Sequence, residues 1–281
     1  MGSRVKPETL AVMKQQGEPI AMLTCYDHPT AVFQDKAGVD VVFVGDSVGV
    51  NVLGYEGPQQ VTMDDMVHHT RVVRRGVSNA LLMADLPFRS YDSPQQAIDN
   101  AQKLIAAGAE VVKLEGGRNV IAQVEALVQL DIPVVGHVGY TPQTRTGERP
   151  VFGDTAEEAR DVLEDAVALE TAGALAVVLE CVPERVAEIV TDRLLIPTIG
   201  IGAGRKCDGQ VLVAHDMLGV YASAFRFVKA YAQLEQQMQQ AFMDYVAEVK
   251  AFQFPEDKHR FKIKSAELRR FKAQVYSPED V

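Results

Sequence analysis

Three carboxylates follow short apolar runs at matching places in the chain. Asp46 ends Val-Phe-Val-Gly-Asp46-Ser47, Asp85 ends Leu-Met-Ala-Asp85-Leu-Pro87, and Glu115 ends Val-Lys113-Leu-Glu115-Gly-Gly. If the runs are neighbouring parallel strands, about 4.8 Å apart, their ends bring three oxygen donors to one level and allow them to share one ion. Hard oxygen ligands without His or Cys favour Mg²⁺ over zinc. A lone Asp at a strand end reads most simply as a cap of the following loop, but three on successive runs do not. Lys113 and Glu115 are two residues apart and so share a face. Lys113 is then either a cation that receives a substrate carboxylate or the partner in a plain Lys–Glu pair.

Glu180 ends another such run, Ala-Val-Val-Leu-Glu180-Cys181. A carboxylate on so apolar a strand is expected to be poorly hydrated and ready to take a proton, as a general base must. The alternative is an ion-pair partner for an arginine. His137, in Gly-His137-Val-Gly, either donates a hydrogen bond to substrate or is a core histidine bonded to backbone. Three other patterns carry less. Gly45-Asp-Ser47-Val-Gly49 matches G-x-S-x-G, but that elbow requires a helix directly after the serine, and the segment 51–58 reads as a loop. Gly200-Ile-Gly202-Ala-Gly204 lacks the spacing of a dinucleotide fingerprint and reads at most as a phosphate-cradling turn. His68 and His69 are adjacent on a helix and diverge by roughly 100°, so they cannot share a metal.

The elements that must position these groups are legible as eight short, β-branched runs: 20–25, 39–44, 80–84, 110–114, 132–136, 174–179, 196–199 and 210–214. Most are apolar throughout, as strands covered on both faces are. Helical segments alternate with them. One is opened by Thr62 with Asp65 three residues later and closed by Gly76; another runs from Ser93-Pro94 to Ala107-Gly108, and a third from Thr155 to Ala172-Gly173. Repeated strand, helix, strand in this order predicts parallel crossovers, and eight units predict a (β/α)8 TIM barrel of the α/β class rather than an open doubly wound sheet. Only Gly200–Gly209 joins the last two runs, which leaves room for a turn but not a full helix. The stripe Val228, Tyr231, Leu234, Met238, Phe242, Tyr245, Val249, Phe252 predicts a final barrel helix ending before Pro255. A basic C-terminal tail, 255–281, follows as a solvated helical extension or a docking arm, so the chain is expected to be one barrel domain over 1–281.

The 281 residues are 47% hydrophobic and 23% charged, enough to bury a large core and too ordered in composition for a disordered or fibrous chain. A formal charge of −10 and a pI near 5.1 argue against nucleic acid as a partner, while leaving small anions possible at a locally positive or metal-loaded site. Cys25, Cys181 and Cys207 are odd in number and widely spaced, which fits a reducing compartment and neither a disulfide framework nor a zinc ribbon. Residues 1–7 open no signal-length apolar stretch, Lys6 breaks the myristoylation pattern, and no apolar run reaches bilayer length. The expectation is a soluble, cytoplasmic protein with no membrane partner.

These same segments resemble the ketopantoate hydroxymethyltransferase family of the phosphoenolpyruvate/pyruvate barrel superfamily. They are Val44-Gly-Asp-Ser-Val-Gly49, Val61-Thr-Met-Asp-Asp-Met66, Ala84-Asp-Leu-Pro-Phe88, Val112-Lys-Leu-Glu-Gly-Gly117, Gly136-His-Val-Gly-Tyr-Thr-Pro-Gln143, Leu179-Glu-Cys-Val-Pro183 and Ile199-Gly-Ile-Gly-Ala-Gly204. The resemblance implies transfer of a hydroxymethyl group from 5,10-methylenetetrahydrofolate to 3-methyl-2-oxobutanoate in pantothenate synthesis, with Mg²⁺ as cofactor and a homodecamer of two pentameric rings. It implies Asp46, Asp85 and Glu115 as the Mg²⁺ sphere, Asp46, Ser47, Asp85 and Lys113 as the oxoacid-binding set, and Glu180 as proton acceptor. The chain departs from the family pattern in the segment 144–153 and in its longer tail. The rival readings are a metal-dependent C–C lyase acting on a small oxoacid without folate, a serine hydrolase through Ser47, and a non-catalytic barrel.

Overall fold

The structure, a computed structural model, describes residues 4–145, 151–221 and 225–276. Part of the divergent 144–153 segment, the last residues of the tail and Met1–Ser3 lie outside the described residues. The chain divides into two compact units, 1–232 and 233–281.

In the first unit a helix, α1 (Pro7–Gln16), precedes eight parallel strands: β1 (Ile20–Thr24), β2 (Val41–Val44), β3 (Leu81–Asp85), β4 (Val111–Lys113), β5 (Val134–Gly139), β6 (Ala176–Glu180), β7 (Thr198–Ile201) and β8 (Gly209–Leu212). They pair in chain order and β8 closes on β1, with Ile20 opposite Gly209. All eight sequence-predicted runs are strands, shifted by a few residues at their ends, and the (β/α)8 barrel is confirmed. Between them stand α2 (His28–Ala37), α3 (Met63–Arg74), α4 (Pro94–Ala107), α5 (Ile121–Val128), α6 (Ala156–Thr171) and α7 (Glu184–Arg193); the short α8 (Ala214–Leu218) follows β8. No helix interrupts the β7–β8 connection, as its length predicted.

The alternation along each strand explains why the runs are apolar throughout. Met22, Val41, Phe43, Leu81, Met83, Val111, Val135, Ala176, Val178, Ile199 and Val211 fill the barrel interior. Their neighbours Val42, Val44, Leu82, Ala84, Val112, Val134, Val177 and Leu179 face the helices, in a second cluster with Leu104, Leu127 and Leu169. Leu10 and Met13 of α1 join the interior cluster. Pro7 and Gly17 bracket this helix as first-turn proline and left-handed C-cap, a pairing that marks it in the sequence. The three predicted helix starts hold: the Thr62, Ser93 and Thr155 side chains each accept the backbone N–H three residues on. Gly209, in the last strand, lies so close to β1 that a Cβ there would stand 2.6 Å from the Ile20 carbonyl oxygen.

Two expectations are corrected. The segment after Ser47, read as a loop, opens with a π-helical turn over Gly49–Leu53. Of the stripe expected to form the final barrel helix, Leu234, Met238, Phe242, Tyr245 and Val249 lie on α9 (Leu234–Lys250) in the second unit, which also holds α10 (Ser265–Val275), and no residue of α9 is buried. Val228 and Tyr231 precede the helix within the first unit, and Phe252 follows it. The spacing gave the helix; it did not say what would cover its apolar face. Among the described residues, no helix is long and apolar enough to cross a membrane.

Candidate active site

The carboxyl ends of the strands open into a cavity of about 550 Å³, entirely within the first unit. Asp46, Ser47, Asp85, Lys113, Glu115, His137 and Glu180 all line it. Every sequence-predicted site residue therefore reaches one chamber, at the end where barrel enzymes place their chemistry.

The register of the barrel makes the central contact. Asp85 on β3 lies directly opposite Lys113 on β4, and Lys113 Nζ stands 2.6 Å from Asp85 Oδ1, with both side chains buried. The other Asp85 oxygen accepts the Asp46 backbone N–H at 3.0 Å. Lys113 also sits 5.3 Å from the centre of the Phe43 ring, which forms the floor beneath it. Burial alone would discourage charge on Lys113, but Asp85, Glu115 and Asp46 surround it and hold its ammonium charged above the usual lysine range. Asp46 is pushed well above the ordinary carboxylate range by burial and by the charges of Asp85 and Glu115. Asp85 is also raised, chiefly by burial, with Lys113 opposing.

Across the chamber His137, on β5, stands between two acids. Its Nδ1 lies 3.2 Å from Glu115 Oε1 and its Nε2 3.2 Å from Glu180 Oε2. Neither contact has the alignment of a good hydrogen bond, so charge attraction dominates. Burial disfavours the imidazolium, but Glu115 outweighs it, and the pKa rises to about 9. Glu115 is buried too, and His137 brings it below its usual range. His137 is thus not a core histidine bonded to backbone; it links two carboxylates and lines the chamber in which the sequence reading gave it a hydrogen bond to substrate. Glu180 is less dry than its strand implied, retaining 19% side-chain exposure. Its strand end is fixed from β5: Gly139, opposite Glu180, has φ +94°, and a Cβ there would lie 2.3 Å from the Glu180 carbonyl oxygen.

Ser47 Oγ shares a 2.6 Å hydrogen bond with Tyr26 Oη rather than with an imidazole, which removes the geometric basis of a serine hydrolase. His69 is a core histidine whose Nδ1 lies 2.7 Å from the Tyr26 carbonyl oxygen. The apolar wall of the chamber is Met22, Val178, Ile201, Val211 and Val213, and its mouth carries Tyr221, Phe225 and Phe227. The last two rings stack at 5.3 Å, and the Phe227 ring takes the space a Cβ on Gly202 would occupy. Sequence reasoning missed the aromatic mouth, which lies past the last strand, and two buried residues behind the acids, Tyr91 and Gln143.

Four buried or half-buried carboxylates thus face two cations, an excess of negative charge that a divalent ion would offset. Asp46 has Oδ2 fixed by the Gln143 side chain, while both oxygens of the other two metal candidates are engaged: Asp85 by Lys113 and the Asp46 N–H, and Glu115 by His137 and the Gln143 N–H. Among the described residues, no three acidic, His or Cys side chains form a ready-made cage. Mg²⁺ typically keeps several waters and takes one or two carboxylates together with substrate oxygens.

Fold and chamber define a (β/α)8 barrel enzyme with a buried acidic centre for a small substrate. The sequence profile of the ketopantoate hydroxymethyltransferase family matches residues 4–257, and the chain belongs to that family of one-carbon transferases. It is 47% identical over 267 residues to the 3-methyl-2-oxobutanoate hydroxymethyltransferase of Clostridium botulinum (strain Alaska E43 / Type E3), covering 93% of this chain and 97% of that protein. It is also 47% identical over 260 residues to the enzyme of the same name from Bacillus cereus (strain B4264), covering 91% and 94%. Among solved structures, phosphonopyruvate hydrolase in complex with oxalate and Mg²⁺ is similar at a TM-score of 0.63 and 12% identity, covering 96% of each chain. A 2,3-dimethylmalate lyase of the PEP mutase/isocitrate lyase superfamily is similar at 0.59 and 15%, covering 96% and 99%. These two share the fold.

Proposed function

We propose that the chain transfers a hydroxymethyl group from 5,10-methylenetetrahydrofolate to 3-methyl-2-oxobutanoate, giving 2-dehydropantoate (ketopantoate) for pantothenate and coenzyme A synthesis. The observation that carries this reading is the opposition, within one chamber, of the Asp46–Asp85–Lys113–Glu115 group and Glu180. Asp46, Asp85 and Glu115 would hold Mg²⁺, directly or through its waters. When bound, the ion supplies Lewis-acid polarisation of the substrate's 2-oxo group, which makes the C3 proton more acidic.

The protein's own groups do the rest. Lys113, locked to Asp85, and Ser47, held by Tyr26, bind and orient the oxoacid. Glu180 accepts the proton from C3, and His137 keeps that carboxylate facing the acidic centre. The C3 electron pair attacks the one-carbon unit, a C–C bond forms as both C–N bonds of the methylene break, water provides the hydroxyl, and the two freed folate nitrogens take up the proton held by Glu180 and the remaining proton of the water. Val178, Ile201 and Val211 pack the branched alkyl end and exclude bulk water from it. The chamber is larger than a five-carbon acid needs, and the flat rings of Tyr221, Phe225 and Phe227 suit stacking of the pterin at its mouth. The working form in this reading is a cytoplasmic homodecamer.

Purified protein given 3-methyl-2-oxobutanoate and 5,10-methylenetetrahydrofolate is expected to form ketopantoate, and EDTA is expected to stop it until Mg²⁺ is restored. Cleavage of an oxoacid with the folate omitted would instead establish the lyase chemistry and overturn the proposal.

A further inference from the structure

Gln143 stands four residues beyond β5, at the start of a loop where a glutamine is ordinarily solvated, yet it is 1% exposed. Its hydrogen-bonding capacity is directed inward. Nε2 donates to Asp46 Oδ2 at 2.7 Å and to the Leu86 carbonyl oxygen at 3.1 Å. Oε1 accepts the Tyr91 hydroxyl, and the backbone N–H donates to Glu115 Oε2 at 2.9 Å. One residue thereby ties together the ends of β2, β3 and β4.

The chemistry fixes which way the amide points. Both partners of Nε2 are acceptors and the Tyr91 hydroxyl is a donor to Oε1, so a flipped amide would oppose oxygen to oxygen. A carboxylate at this position would place a further negative charge against Asp46. Tyr91, itself buried, braces the arrangement from behind, with its hydroxyl 3.3 Å from the Glu115 carbonyl oxygen. Gln143 is not among the residues lining the chamber, although its neighbour Pro142 is. It acts on the acids from their far side.

We infer that Gln143, braced by Tyr91, is a positioning residue that holds Asp46 and Glu115 in the arrangement able to receive the divalent ion. The inference rests on the proposed cation site. Asp46 keeps one oxygen on the Gln143 side chain, so its rotation is stopped and its second oxygen is aimed without help from the ion, while Glu115 keeps Oε2 on the Gln143 backbone N–H and turns Oε1 to His137. Partners behind metal ligands typically change metal affinity by about 10–100-fold when removed.

The test is calorimetric titration of the metal-free full-length protein with Mg²⁺, and with Mn²⁺ as a second probe. The proteins compared are wild type, Gln143→Met and Tyr91→Phe, with circular dichroism and melting temperature of each metal-free protein alongside. Gln143→Met is expected to bind both ions about 10–100-fold more weakly with its fold retained. Tyr91→Phe, which frees the amide oxygen and removes the hydroxyl's contacts with the Glu115 backbone while leaving the Gln143–Asp46 bond in place, is expected to show a smaller loss in the same direction. Wild-type affinity in a folded Gln143→Met overturns the inference. If Gln143→Met does not fold, wild-type affinity in Tyr91→Phe overturns it. Failure of wild type itself to bind either ion removes the cation site and this inference with it, an outcome distinct from a variant that matches a metal-binding wild type.

Discussion

At the residue scale the account rests on buried charges whose partners are named, and each can be removed singly. Lys113 and Asp85 form a buried pair in which both side chains are at most 5% exposed. Deleting one partner strands the other, so Lys113→Met is expected to cost about 3–5 kcal/mol of stability by chemical denaturation, with part of the loss recovered when Asp85→Asn is added. His137 gives a pH signature. Its pKa, about 9, lies above the ordinary 6.5, so its ion pairs with Glu115 and Glu180 stabilise the fold fully below pH 6.5 and are lost as pH rises through 9. In metal-free protein the melting-temperature advantage of wild type over His137→Asn should therefore be greatest near pH 6 and shrink progressively to pH 10. The acids, Lys113 and Glu180 were legible in sequence because each ends an apolar run and topology then dictates where it points. His137 was visible but ambiguous, since its two carboxylate partners come from separate strands. Gln143 and Tyr91 gave no periodic signal, because loop side chains turn inward only once the acids they hold are assembled.

At the element scale the barrel was legible because its strands must be apolar on both faces and its helices begin with capping side chains. The limits of that reading were equally physical. Strand ends moved by a few residues, as at Ile196–Ile199 against Thr198–Ile201, where Pro197 delays the strand. The π-helical turn after Ser47 carries no polar cap and ends on Gly54 in the left-handed region, a stop signal without a start. A close element contact near the chemistry is Gly139 against the Glu180 carbonyl oxygen. Gly139→Ala adds both a forbidden φ and a clash there, so the protein is expected to fold less stably and, at full occupancy of both substrates, to turn over about 100-fold more slowly through displacement of Glu180. A normal turnover number in this variant would show that the β5–β6 contact does not position the base.

At the scale of the whole molecule, the second unit exposes Met238, Phe242, Tyr245, Val246 and Val249 along α9, an apolar stripe of a kind that soluble chains bury in an assembly. The proposed homodecamer predicts a mass by light scattering about ten times the 30.7 kDa of one chain, whereas a stable monomer would contradict it. Periodicity in sequence announced the helix but could not name its cover, since spacing reports only which face is apolar. The catalytic claim itself is tested most directly by exchange of the C3 proton of 3-methyl-2-oxobutanoate in D₂O, followed by NMR without any folate. The account predicts exchange that requires Mg²⁺ and falls by about 10²–10⁴-fold in Glu180→Gln while that variant still binds the ion. Exchange that proceeds equally well in Glu180→Gln, or in EDTA, would contradict it.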